Sequence, residues 1–193
     1  MIFVTVGAQM PFDRLIRPVD AWAGERSGSN VFAQIGRSDL RPRNIEWTAF
    51  LDPLDCRQRI SEADVIITHA GMGTILTALE FGKPVLVMPR RADLRETRND
   101  HQFGTSRALT RAGCISVAWS EGELTAALSR LDQLPAPRRV ASHASLQLLT
   151  ALRTFIRGDA VLPVAPPTDV LTQLKHPAVP TSPAEEQIEK KAA

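Results

Sequence analysis

The residues best suited to chemistry fall in one short run, Thr68-His69-Ala70-Gly71-Met72-Gly73-Thr74. It lies between an apolar, β-rich segment (Val65 to Thr68) and a segment of helical period (Thr74 to Phe81). Ile75, Leu76 and Leu79 give that helix a core face, and Gly82-Lys83-Pro84 is suited to ending it before another strand. The helix is therefore expected to start at Gly73-Thr74. Free backbone N–H groups and about half a positive charge from the helix dipole favour an anion there, provided the side chains are small. Gly71 and Gly73 meet that condition, and a phosphate is the natural occupant. On spacing alone, a plain tight turn explains the two glycines equally well.

Other phosphate motifs do not fit. A P-loop needs Lys followed by Ser or Thr after its last glycine, whereas Gly82-Lys83 is followed by Pro84. A dinucleotide fingerprint needs three spaced glycines after the first strand, and Gly7-Ala8-Gln9-Met10-Pro11-Phe12 has one. Lys plus Arg (23) nearly balances Asp plus Glu (21), so no strong positive field marks nucleic acid as a partner. Cys56 and Cys114 lack metal-ligand spacing and read as reduced thiols.

Six short strand-like runs can position the glycine turn: Ile2 to Val6, Val31 to Ile35, Ile45 to Phe50, Val65 to Thr68, Val85 to Met88 and Cys114 to Ala118. Helical segments lie between most of them, at Phe12 to Ala23, Leu54 to Ala63, Thr74 to Phe81 and Asn99 to Ala112; Glu121 to Leu131 and Val140 to Ile156 follow. Alternation of this kind predicts an α/β fold, a single Rossmann-like domain with a mainly parallel sheet and ligands beyond the carboxyl ends of the strands. No helix fits between Val31 and Phe50, so those two strands need not be simple neighbours.

The domain is expected to cover residues 1–158. In residues 159–193, six of the chain's fourteen prolines occur and no aromatic residue, which predicts a flexible, disordered tail. Val170, Leu171 and Leu174 offer at most one amphipathic turn. The opening Met1 to Val6 lacks the length and basic flank of a secretory signal, and no apolar run approaches the 18 residues of a membrane helix, so a cytoplasmic protein is expected.

These blocks, in this order, resemble a family. His69-Ala70-Gly71-Met72-Gly73-Thr74, Gly82-Lys83-Pro84 and Asn99-Asp100-His101-Gln102 are similar to the C-terminal, donor-binding domain of glycosyltransferase family 28. Phe3-Val4-Thr5-Val6-Gly7 and Phe12-Asp13-Arg14-Leu15-Ile16 look like the catalytic subunits of two-part UDP-GlcNAc transferases of lipid-linked oligosaccharide synthesis. Met88-Pro89-Arg90-Arg91 adds a likeness to the PssE-type subunits of bacterial exopolysaccharide synthesis. The resemblance spans residues 1 to 132 and implies the C-terminal half of a GT-B fold.

It further implies that Gly71, Gly73 and Thr74 hold the diphosphate of a UDP-sugar and that Gly7 forms a second turn facing the same cleft. The backbone at Phe50 and Leu51 would meet uracil, although these side chains read equally well as core. Asp100, His101 and Gln102 would contact the sugar, or else form a solvated first helical turn capped by Asn99 or Asp100. His69 is a candidate catalytic residue or phosphate contact, with a structural hydrogen bond as the competing role. Thr77 stands where relatives carry a ribose-binding glutamate; Glu80, three residues on, need not replace it.

Glycosyl transfer must stabilise a departing diphosphate. No Asp-x-Asp motif is present to hold a metal, so fixed N–H dipoles are the expected means, and no cofactor is called for. Family resemblance implies inversion. The general base and the lipid-linked acceptor site are then expected on a membrane-anchored, PssD-like acceptor-domain subunit that holds this chain at the inner membrane. Arg90, Arg91, Arg95 and Arg98 could touch phosphates or lipid headgroups, or form a solvated loop. A subunit that binds nucleotide-sugar without contributing chemistry is the alternative.

Overall fold

A computed structural model describes residues 1–158 apart from Ser27 and Arg138. The expected Pro-rich tail, with Val170, Leu171 and Leu174, lies outside the described residues. One compact unit runs from Met1 to His143, and a second begins at Ala144.

The first unit alternates strand and helix. In order come β1 (Ile2–Thr5), α1 (Asp13–Gly24), β2 (Val31–Gln34), β3 (Glu46–Thr48), α2 (Pro53–Glu62), β4 (Val65–Thr68), α3 (Met72–Glu80), β5 (Val85–Val87), α4 (His101–Arg111), β6 (Ser116–Val117) and α5 (Glu121–Leu128). A single 3-10 turn follows at Leu131–Gln133. In the second unit, α6 (Leu146–Arg157) starts at Ser145, whose hydroxyl accepts from the Leu148 N–H, and stops at Gly158, whose φ of 76° suits glycine.

All six strands are parallel, in the order β3-β2-β1-β4-β5-β6. Ile2 sits opposite both Val31 and Val65, so β1 and β4 form the centre, where the winding direction reverses. Alternate residues feed two apolar layers. Val4, Val6, Ile67 and Leu86 pack with Leu15, Ile16, Val19 and Trp22 of α1 and Leu124 and Leu128 of α5. Phe3, Ile66, Val85 and Val87 pack on the other face with Ile60, Ile75, Ala78 and Leu79 from α2 and α3. Burying each large aliphatic side chain contributes about 1.5–3 kcal/mol.

The stretch without a helix turns out to join direct neighbours: β2 and β3 pair in parallel, Phe32 opposite Glu46. Residues 35–45 lie along α1 instead of forming a helix of their own. Asp20 accepts from the N–H groups of Arg43 (3.1 Å) and Asn44 (2.8 Å), Ser38 donates to Asp13 (2.6 Å), and Leu40 packs against the core. Carboxylates on α1 thereby take over the backbone satisfaction that a crossover helix would supply internally. Replacing Asp20 by Ala should lower stability by about 1–2 kcal/mol, because two loop N–H groups lose a charged acceptor. An unchanged urea midpoint for Asp20→Ala would show that the loop needs no such tether.

Candidate functional site

β1 and β4 release their chains side by side, one into Gly7 and the other into His69-Ala70-Gly71. Helix α3 starts at Met72 with Gly71 as its N-cap, two residues earlier than the sequence suggests. Gly71 has extended backbone (φ −84°, ψ 117°) and no side chain caps the helix. The first intrahelical bond runs from the Ile75 N–H to the Gly71 carbonyl (3.2 Å), so the N–H groups of Met72, Gly73 and Thr74 precede the ladder. These donors and the helix dipole make an anion-favouring end at the carboxyl edge of the central strand pair.

The two glycines of this turn have different reasons to be glycine. A Cβ on Gly71 would lie 2.3 Å from His69 Nε2, and one on Gly7, whose φ is +75°, would lie 2.7 Å from His69 Cε1. The imidazole therefore occupies the space that both turns leave, which gives Gly71 a packing reason to be glycine. A Cβ on Gly73 would meet nothing within 4 Å, so no protein neighbour demands its absence.

His69 is held from the strand side. Thr68 donates its hydroxyl proton to the Thr5 carbonyl (2.9 Å), and His69 Nδ1 lies 3.3 Å from the same hydroxyl oxygen. Nδ1 is therefore assigned as the protonated nitrogen, which leaves Nε2 as an acceptor beside Gly71. Burial, reinforced by the positive charge of Arg90, brings the His69 pKa down to about 4, against a smaller opposing pull from the Thr5 carbonyl. The ring is neutral at pH 7, and Nε2 can accept a hydrogen bond there.

A residue the sequence reading passed over ties the site together. Buried Gln34 donates from Nε2 to the Gly7 carbonyl (3.1 Å) and accepts through Oε1 from the Leu51 N–H (3.2 Å). Its signal was an amide in the otherwise apolar run Val31-Phe32-Ala33-Gln34-Ile35. It joins the Gly7 turn to the Phe50-Leu51 segment, but it also occupies the Leu51 N–H. Phe50 is 42% exposed, so it is not core, and its carbonyl accepts from the Thr48 hydroxyl (3.2 Å). Leu51 is half-buried against the α2–α3 layer.

Asp100, His101 and Gln102 do not act as one set. Asp100 and His101 are exposed at the start of α4; Asp100 accepts from the Ala92 N–H (3.0 Å) instead of capping its own helix, and Asn99 holds His101. Gln102 is buried, its Oε1 accepting from the Arg90 N–H (3.0 Å). Arg90 is not solvated either, being 4% exposed, whereas Arg91 pairs with Asp93 on the surface. Within α3, the Thr77 hydroxyl donates to the Gly73 carbonyl (2.9 Å). Glu80 pairs with Arg57 (3.0 Å), which holds its carboxyl below the usual range.

The His69 ring sets a pH dependence. Its pKa is about 4 folded and about 6.5 unfolded, so the unfolded chain binds the proton more readily. Its contribution to stability is intact above pH 6.5 and is lost progressively as pH falls toward 4. Between pH 7 and pH 5 the loss should be about 2 kcal/mol. Urea unfolding of wild type and His69→Asn at both pH values checks this; equal losses in the two proteins would remove His69 from the account.

The glycosyltransferase family 28 C-terminal domain profile matches residues 1–143. The UDP-N-acetylglucosamine transferase subunit ALG13 of Mus musculus is 32% identical over 145 residues, covering 70% of this chain and 11% of that protein. Its counterpart in Homo sapiens is 34% identical over 122 residues, covering 58% and 10%. The chain thus spans about a tenth of the length of these relatives. Among solved structures, an NMR structure of ALG13 (19% identity, TM-score 0.52) is covered over 93% of its length and 77% of this chain. Acinetobacter baumannii MurG (20% identity, TM-score 0.56) is covered over 48% of its length and 78% of this chain, so the described fold matches about half of that chain. With an uncapped helix end at the strand reversal and a profile match across the whole sheet-bearing unit, this chain belongs to the glycosyltransferase family 28 C-terminal domain family.

Proposed function

We propose that the chain is the donor-binding and catalytic subunit of a two-component glycosyltransferase that takes a sugar from a UDP-sugar without a metal and inverts its anomeric centre. The acceptor is lipid-linked, in exopolysaccharide synthesis. The uncapped start of α3 at the carboxyl edge of β1 and β4 carries this reading. Gly73, Thr74 and the N–H groups of the first turn receive the diphosphate, with Gly7 opposite and neutral His69 between the turns, where Nε2 can accept a hydrogen bond from a sugar or acceptor hydroxyl. Uracil lies toward Phe50 and Leu51; Asp100 and His101 face the sugar from α4, and Gln102 supports them through the loop after β5.

In the reaction, the acceptor oxygen bonds to the anomeric carbon as the bond to the diphosphate breaks, and UDP leaves with the electron pair. The α3 dipole stabilises that growing charge. A lost donor in such an arrangement typically costs about 10² to 10³ in rate. The general base and acceptor site come from a membrane-anchored, PssD-like subunit, which keeps this cytoplasmic chain peripheral to the inner membrane. The likeness to ALG13, a UDP-N-acetylglucosamine transferase subunit, supports the division of labour. A purely nucleotide-sugar-binding subunit is the second reading, favoured by Thr77 in the ribose position and its hydroxyl's bond to Gly73.

Gly73 separates folding from binding, which Gly71 cannot do because of His69. An aspartate at position 73 complements the helix dipole but repels a diphosphate. Gly73→Asp should keep or raise the thermal midpoint while UDP affinity, measured by calorimetry, falls at least about tenfold, or 1.4 kcal/mol. Undiminished UDP binding by a folded Gly73→Asp protein would place the diphosphate elsewhere, and UDP binding abolished by chelator would end the metal-free reading.

A further inference from the structure

Arg90, just past β5, spends its guanidinium on backbone oxygens. One terminal nitrogen donates to the carbonyls of Pro11 (2.8 Å) and Glu96 (3.0 Å), the other to those of Val6 (2.7 Å) and Met10 (2.6 Å). The same group lies 4.7 Å from the centre of the Phe12 ring. Glu96, the carboxylate close by, is engaged by Arg14 (2.8 Å) and by the Arg91 N–H (2.9 Å). Three of the four gripped carbonyls belong to the connection between β1 and α1, on either side of Gly7. A carbonyl bonded to a buried guanidinium points into the protein, so its lone pairs are withdrawn from the crevice. Left free, such oxygens could turn toward an incoming anion and repel it.

We propose that Arg90 is a positioning residue for the nucleotide: by drawing the Val6, Met10 and Pro11 carbonyls inward, it holds the Gly7 turn in the shape that admits a diphosphate. The proposal rests on the reading that this crevice binds UDP. Its planar fork is what the task requires, since a lysine ammonium is a point donor that cannot span four oxygens in this arrangement. Gln102 completes the device by fixing the Arg90 backbone, which gives that buried side chain a role without sugar contact.

The test compares wild type with Arg90→Lys in the full chain. Arg90→Lys should retain its circular dichroism spectrum, while the amides of Gly7 to Met10 exchange with deuterium at least about tenfold faster and those of β4 do not change. The Cε1–H resonance of His69 should move, reporting the altered turn against its ring, and the Kd for UDP should rise at least about tenfold. Unaltered turn exchange, or faster exchange with UDP affinity within about twofold of wild type, overturns the proposal. If Arg90→Lys does not fold, wild type decides: UDP should shift the Arg90 guanidinium resonances and slow their proton exchange, and indifference at saturating UDP overturns it. Failure of wild type to bind UDP at all instead defeats the crevice reading, while the apo exchange data still report whether Arg90 holds the turn.

Discussion

An imidazole lodged between two chain reversals governs the carboxyl edge of this sheet. Gly7 and Gly71 each leave room for His69, and each would collide with it if enlarged by a single carbon. Because β1 and β4 are hydrogen-bonded neighbours, the ring fixes the separation of the turns that leave them. The amino end of α3 inherits its place from that spacing. Gly73, two residues further along, then leaves open the space that a side chain would fill.

Around this ring, buried polar side chains replace what secondary structure would otherwise supply. Gln34 spans from the Gly7 turn to Leu51, Arg90 gathers the connection after β1, and Gln102 anchors Arg90. Loops of an α/β domain carry backbone groups that no ladder satisfies, and leaving them unpaired inside the protein costs about 1–3 kcal/mol each. Satisfying them from rigid strands and helices makes the loops part of the scaffold. A site built this way enters binding with much of its ordering cost already met.

The architecture was legible because it follows from local pattern. Apolar runs at Val4, Ile66 and Val85, separated by helical periods at Leu15 and Ile75, leave little choice but a parallel sheet, and the six strands fall close to the expected segments. What resisted reading depends on contacts between distant residues. Gly71 and Gly73 look alike in sequence, and only the position of His69 separates them. Without a capping side chain, nothing local marked Gly71 rather than Gly73 as the start of α3. Arg90 sat in a basic cluster and reads as surface until Val6, Met10 and Pro11 are seen around it, and Gln102 reads as a ligand contact until its partner is known. The pairing of β2 with β3 stayed open because carboxylates on α1, which meet the loop only in the fold, do the work of a missing helix.

The sheet's extremities have a further consequence. Its two outermost strands are short, β3 with three residues and β6 with two. A foreign strand seeking to extend the sheet finds only a few free backbone groups at either border, too short a template to hold it in register. The four-residue strands β1, β2 and β4, which would make the best nucleus for fibrillar growth, are all flanked on both sides, so brevity at the margins guards this protein against self-association through its sheet.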